Sequence, residues 1–136
     1  GQKDYQQCMV IKKLIELIGL NDKITLNICP TLREDDGLAM SSRNTRLLAD
    51  DRKKATTISA ALRFIKENLK AGNTNEIKNE AKDMLLQQGF RIDYIEIAEA
   101  DKLAIVENWD GKQKVVAFAA AFLNNVRLID NMVVNP

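Results

Sequence analysis

Hydrophobic positions recur at helical spacing over residues 4–18, where Cys8, Ile11, Ile15 and Ile18 share a face that Met9, Val10, Leu14 and Leu17 widen. Only Lys12, Lys13 and Glu16 mark a wet side, so the pattern predicts a mostly buried helix with Gly19 just past its end. Residues 24–28 alternate with period two and predict a short strand, stopped by Pro30. Helical spacing returns after Asp50 and Asp51, which stand where negative charge favours a helix N-terminus, although neither neighbour supplies a clear cap. That helix runs through Ile58, Ala61, Leu62, Ile65 and Leu69 to Ala71-Gly72. Asn73 and Glu76 have capping-box spacing and open another helix through Ile77, Ala81, Met84 and Leu85, closed by Gly89.

Three strand candidates follow. Residues 90–97 alternate through Phe90, Ile92 and Tyr94 and then change phase to Ile95 and Ile97, as at a bulge or in a strand covered on both faces. Residues 115–123 read as helix or buried strand by periodicity alone. Their short length and the turn residues on either side, Trp109-Asp110-Gly111-Lys112 and Asn124-Asn125, favour a strand, with residues 126–129 returning as a hairpin. Arg127 and Asp130 read as an ion pair across that sheet or at its edge. The chain thus divides near residue 46. Residues 1–46 carry helix, strand and then a loop at the strand's carboxyl end, where ligands sit in open α/β sheets. Residues 47–136 form an α+β unit of two helices and a small antiparallel sheet. The fold class is therefore α+β, preceded by a helix–strand remnant of a Rossmann-like α/β nucleotide-binding domain.

Composition narrows the partners. The 136 residues are 46% apolar and 29% charged, enough for one domain with a real core or a small domain plus a piece of another. Twenty basic against 19 acidic residues leave a net charge of +1, and aromatics are 5% of the chain, so no field or stacking platform for nucleic acid is present. The longest apolar run, 115–123, falls far short of the roughly 20 residues a bilayer requires, and no secretory leader is seen. A soluble, cytoplasmic protein is expected. Cys8 and Cys29 read as two buried thiols in a reducing compartment rather than a disulfide. With no histidine and no Cys-x-x-Cys, a structural zinc site is not expected. The opening Gly1-Gln2-Lys3-Asp4, without an initiator Met, reads as part of something longer.

Two segments carry candidate chemistry. Between Cys29 and Leu47 lie a Pro stop, an Asp-Gly turn, two serine hydroxyls and an arginine. In Gly37-Leu38-Ala39-Met40-Ser41-Ser42-Arg43-Asn44, hydroxyls and backbone N–H groups suit phosphate oxygens, and the arginine fork matches phosphate bidentately. Composition alone leaves a surface turn with an incidental arginine equally open, and no Walker-type glycine pattern is present. At the front, Lys3 and Asp4 begin a helix where they can meet a phosphate and a ribose hydroxyl, with Gln7 one turn on; a solvated first turn is the plainer reading.

These segments, taken with Pro30-Thr31-Leu32-Arg33-Glu34 and Arg127-Leu128-Ile129-Asp130-Asn131, resemble the C-terminal half of the pantothenate synthetase (pantoate–β-alanine ligase) family, colinearly over essentially the whole chain. The resemblance implies an ATP-dependent ligation in which pantoate is adenylated, pyrophosphate leaves, and β-alanine then displaces AMP to give pantothenate. It implies that Lys3, Ser41, Ser42 and Arg43 bind the ATP phosphates and steady the leaving pyrophosphate, as the KMSKS loop does in related adenylating enzymes. Gly1 and Asp4 would meet the ribose, Leu32 the adenine through its backbone, and Gln7 pantoate, with Met40 lining the site. Magnesium is expected on the triphosphate and an intact enzyme that is a homodimer. Residues 1–46 would then hold the phosphate loop and residues 47–136 a lid domain that closes over it.

Departures from the family pattern are few. Leu48 stands where a capping Thr is usual and Asn124 where a Gly often sits, a change that Asn tolerates. The family's HxGH-type motif is missing, since the chain has no histidine, so the chain alone is expected to be inactive. Its front helix is then expected to expose Leu14, Leu17 and Ile18 and to favour self-association. The alternatives are a non-catalytic ligand-binding or interaction module, and a nucleotidylyltransferase with another acceptor.

Overall fold

The computed structural model describes residues 1–135. At its centre is a three-stranded antiparallel sheet in the order β2-β4-β5, formed by Arg91–Glu99 (β2), Val115–Leu123 (β4) and Val126–Val133 (β5). β4 is the middle strand and is buried on both faces, which explains why its sequence is a continuous apolar run rather than an alternation. Its alanines let helices approach closely. On one face, Ala117, Ala119 and Ala121 pack with Ile95, Ile97 and Leu128 against Ile58, Leu62 and Ile65 of α3 (Thr57–Asn68) and Ile77, Ala81 and Leu85 of α4 (Asn75–Gln87). Each fully buried Leu or Ile there contributes about 1.5–3 kcal/mol.

The opposite face is covered by α1 (Tyr5–Leu17), through Tyr5, Cys8 and Met9 against Ala98, Val116 and Phe118. Tyr5 meets Phe118 edge-on at 5.7 Å, and its hydroxyl donates to Ala100 O at 2.9 Å. Burial is the main reason the Tyr5 phenol is pushed above its ordinary pKa, with Asp101 and Cys8 adding to it.

Several expectations are met in detail. The phase change in β2 is a bulge: the register shifts between Ile92 and Tyr94, so Asp93 is the extra residue, and Tyr94 falls on the α1 face. The β4–β5 turn closes Leu123 on Val126, with Asn124 at φ +51°, the left-handed conformation Asn accepts. α2 (Ala49–Ala55) carries Asp50 and Asp51 in its first turn and has no side-chain cap at Leu48. A further two-residue ladder joins β1 (Gly72–Asn73) to β3 (Asn108–Trp109).

Other expectations are corrected. Residues 24–28 form no strand: a strand exists through its ladder, and no segment among the described residues pairs with them. The helix expected from residue 50 onward breaks at Thr56, whose hydroxyl donates back to Lys53 O at 2.9 Å while its own carbonyl accepts from Ser59 Oγ. No capping box forms at α4: its N-cap is Thr74, buried and bonded to Val106 O, and Asn73 before it accepts from Asn75 N at 2.8 Å in an Asx turn. β5 runs four residues beyond the expected hairpin, to Val133. Cys29 is exposed, Cys8 alone is buried, and both are free thiols. α1 is not mostly buried: Val10, Ile11, Leu14, Leu17 and Ile18 are exposed, because only one of its faces meets the sheet. No helix is long and apolar enough to cross a membrane among the described residues.

Candidate functional site

Five of the candidate residues, Lys3, Asp4, Gln7, Ser41 and Arg43, gather over the outer edge of β5. Being an edge strand, β5 reaches elements on both faces of the sheet. Asp130 pairs in register with Ala119 on the helix face, and Asn131 with Phe118 on the α1 face.

On the helix face, residues 32–40 fold into a small hairpin. Met40 N donates to Leu32 O (2.9 Å), Glu34 N to Leu38 O (2.9 Å), and Gly37 N closes the turn on Glu34 O (2.8 Å). Gly37 has φ +90°, the left-handed conformation that favours glycine, and a Cβ there would lie 3.3 Å from Arg63 Nη2, the tip of a side chain that can shift. Leu38 anchors the hairpin in the main core. Asp36 accepts from Arg52 of α2 (2.6 Å) and from Leu38 N (3.2 Å). The Arg52 hydrogen bond first, and the Leu38 N–H second, hold the Asp36 carboxyl below the usual carboxylate range.

Arg33 joins this hairpin to the sheet. Its guanidinium forks onto Asp130 at 2.7 and 3.0 Å and also donates to Gly37 O at 3.0 Å. The Asp130 side chain is wholly buried, a position an ionised carboxylate occupies only with a cation and hydrogen bonds around it. Asn131 N completes that set at 2.8 Å. On the other face, Asn131 Nδ2 donates to both Gln2 O and Lys3 O at 2.9 Å, holding the single 3₁₀ turn Gln2–Asp4. Gln2 N ties the same turn to Cys29 O (2.8 Å).

Together these ties set Lys3, Ser41 and Arg43 around one cleft, with Asn44, Arg127 and Ile129. Three cations and no carboxylate line it, which makes it a place for an anion. Among the described residues no ion pair engages Lys3 or Arg43; Arg127 alone of the three is paired, with Asp93 at 2.7 Å. Ser41 caps the short 3₁₀ turn Ser42–Arg46 by accepting from Arg43 N at 3.2 Å. The cleft's volume is about 10 Å³, room for about one water molecule and far below the roughly 300–1,000 Å³ of whole small-molecule sites. Lys3 stands on the ridge to a second cleft, which Asp4, Gln7, Tyr94 and Asn131 line.

The remaining candidates lie apart from both clefts. Leu32 and Met40 are exposed neighbours across the hairpin, Gly1 sits near Cys29 O, and Ser42 opens the 3₁₀ turn. The expected Arg127–Asp130 pair does not form: residues three apart on a strand point to opposite faces, so Arg127 takes Asp93 and Asp130 takes Arg33. Sequence reasoning missed Arg33, Asp130 and Asn131 as site-builders. The available signal was an Asp-Asn pair inside a strand whose only other polar residue is Arg127, where a buried charge demands a distant partner. No group of three or more His, Cys, Asp or Glu side chains converges to hold a metal ion among the described residues.

Comparisons with known proteins agree over the full length of this arrangement. The family model "Pantoate-beta-alanine ligase" matches residues 1–133. A pantothenate synthetase from Caldicellulosiruptor saccharolyticus is 42% identical over 98% of this chain and 47% of its own, and one from Fervidobacterium nodosum is 38% identical over 99% and 48%. The chain thus spans about half the length of the curated relatives it matches. The crystal structure of pantothenate synthetase from Thermus thermophilus superposes with a TM-score of 0.85 at 32% identity, covering 100% of this chain and 49% of that one. A pantoate-beta-alanine ligase from Francisella tularensis, complexed with beta-gamma ATP and beta-alanine, does so with a TM-score of 0.64 at 32% identity, over 98% and 41%. The mixed helix and antiparallel-sheet fold, the matched segments on both sides of the cationic cleft and these relatives lead to one conclusion: the chain belongs to the pantoate-beta-alanine ligase family.

Proposed function

We propose that this chain supplies the phosphate-binding wall and the lid domain, residues 47–136, of an ATP-dependent ligase that joins pantoate to β-alanine. A pantoate carboxylate oxygen attacks the α-phosphorus of ATP, the bond to the bridging oxygen breaks, and pyrophosphate departs. The β-alanine amine then attacks the acyl carbon of pantoyl adenylate, loses a proton, and AMP leaves with the electron pair. Both steps move negative charge, which donors set in advance stabilise. In this reading Lys3 and Arg43, with the Ser41 and Ser42 hydroxyls, receive the charge growing on the departing pyrophosphate. Asp4 and Gly1 hold the ribose, the Leu32 backbone meets adenine, Met40 lines that end, and Gln7 holds pantoate.

The observation that carries the reading is the cleft where Lys3 and Arg43 converge with no carboxylate and, among the described residues, no ion-pair partner. A lining of that kind repels a divalent ion, so Mg2+ enters as part of the substrate MgATP and no residue of this chain is assigned to it. The cleft's small volume and the lack of any histidine support a site completed by groups outside these residues, so the chain alone is inactive. The test is pantoate-dependent ATP–pyrophosphate exchange, with the full-length gene product and this chain compared. Exchange by the first only is expected; exchange with neither overturns the ligase reading, and exchange by the chain alone overturns the half-site.

A further inference from the structure

Asn131 is almost fully buried, yet its side chain is only half used. Nδ2 donates to two consecutive carbonyls, Gln2 O and Lys3 O, each at 2.9 Å, while Oδ1 has no partner among the described residues. What it does is mechanical. The two N–H bonds of one planar amide fix two adjacent peptide planes, and those planes carry Lys3. The backbone of Asn131 is fixed in turn by Asp130, whose carboxylate takes its N–H, and by Arg33, which clamps Asp130 from the hairpin that leads to Ser41 and Arg43. One dipeptide of an edge strand therefore sets the Lys3 turn on one face against the Arg43 arm on the other.

We propose that Asn131 is a positioning residue for Lys3: its forked amide holds the Gln2–Lys3 backbone so that the Lys3 ammonium and the Arg43 guanidinium meet the same anion. The proposal rests on the ligase reading above. Both side-chain N–H bonds of Asn131 go to the Gln2 and Lys3 carbonyls, so its effect runs through Lys3. A misplacement on the order of 1 Å in a charge-stabilising group lowers rate by up to about 100-fold. Asn131→Ser, which removes the fork without adding charge, is expected to lower kcat for pantoate-dependent exchange by roughly 10- to 100-fold while the pantoate KM moves less than about 2-fold.

The decisive measurement is a double-mutant cycle with Lys3→Ala in the full-length gene product. If Asn131 works through Lys3, Asn131→Ser costs less than about 3-fold once Lys3 is gone. Equal losses in both backgrounds, or a loss that only tracks the folded fraction in a thermal melt, overturn the proposal. Asn131→Asp, which keeps the shape and sets a carboxylate against two carbonyl oxygens, is expected to be worse than Ser; activity equal to the parent overturns it as well. Should the unmodified protein show no pantoate-dependent exchange, the ligase reading fails first. An active parent with an additive cycle sinks the positioning role alone.

Discussion

Removing the Arg33–Asp130 contact tests whether the hairpin is held to the sheet by that pair. Asp130 has no exposed side-chain surface and Arg33 is 25% exposed, with nitrogen–oxygen distances of 2.7 and 3.0 Å. Breaking a buried pair by deleting one partner costs about 3–5 kcal/mol. Asp130→Leu falls at the low end, about 3 kcal/mol, because Arg33 is partly solvated and keeps Gly37 O. Arg33→Met falls nearer 4 kcal/mol, since it leaves a carboxylate in the sheet with only the Asn131 N–H. The double variant removes both charges and is expected to cost only about 1–3 kcal/mol, because replacing both members of a buried pair with apolar groups is far milder. The coupling from four urea melts followed by circular dichroism is thus about 4–6 kcal/mol, against the 0.2–1 kcal/mol of an exposed pair. Hydrogen exchange adds location: the Glu34 and Met40 amides, which close the hairpin, lose protection in the single variants while the Val106 amide, bonded to Ile97 O at 2.9 Å, keeps its own. A coupling below about 0.5 kcal/mol would place the pair with ordinary surface contacts and refute the reasoning.

Three further outcomes are expected. The apolar face of α1, where Leu14 is 53% and Leu17 73% exposed, drives self-association, so Leu17→Glu lowers the sedimentation coefficient at high concentration without lowering the melting temperature; a parent that is monomeric at every concentration contradicts this. Because Asp36 titrates below its ordinary 3.8 in the folded chain, its tie to Arg52 is present above the unfolded value and lost as pH falls through the folded one. Carboxyl NMR titration should find that shift, and Arg52→Met should return Asp36 toward 3.8; no change in the variant means another group holds it. At φ +51°, Asn124→Ala costs about 1 kcal/mol and Asn124→Gly stays within about 0.5 kcal/mol of the parent in urea melts, an order that reverses if the turn is not left-handed.

The core of α3, α4 and the central sheet was legible residue by residue. Helical periodicity named Ile58, Leu62, Ile65, Ile77, Ala81 and Leu85, all of which lie in the core, and the phase change in residues 90–97 marked the Asp93 bulge. Local rules sufficed there because helix faces and strand phases are read within one turn or one pleat. Residues 24–28 carry the same period-two signal and form no strand, since a ladder needs a neighbour that pattern cannot supply. The exposed face of α1 differs from its buried one for the same reason: contact, not periodicity, selects the face.

The candidate site divides along the same line. By itself the sequence determined the chemical inventory, with Lys3, Ser41 and Arg43 in polar segments and no histidine to accompany them. Only the tertiary structure decided that Lys3 and Arg43, 40 positions apart, border one cleft, and that Asp130 faces Arg33 rather than Arg127. The physical reason is the edge strand. Its alternation sends Asp130 to one face and Asn131 to the other, and partners 97 and 128 residues away in the chain tie each side chain to a different element.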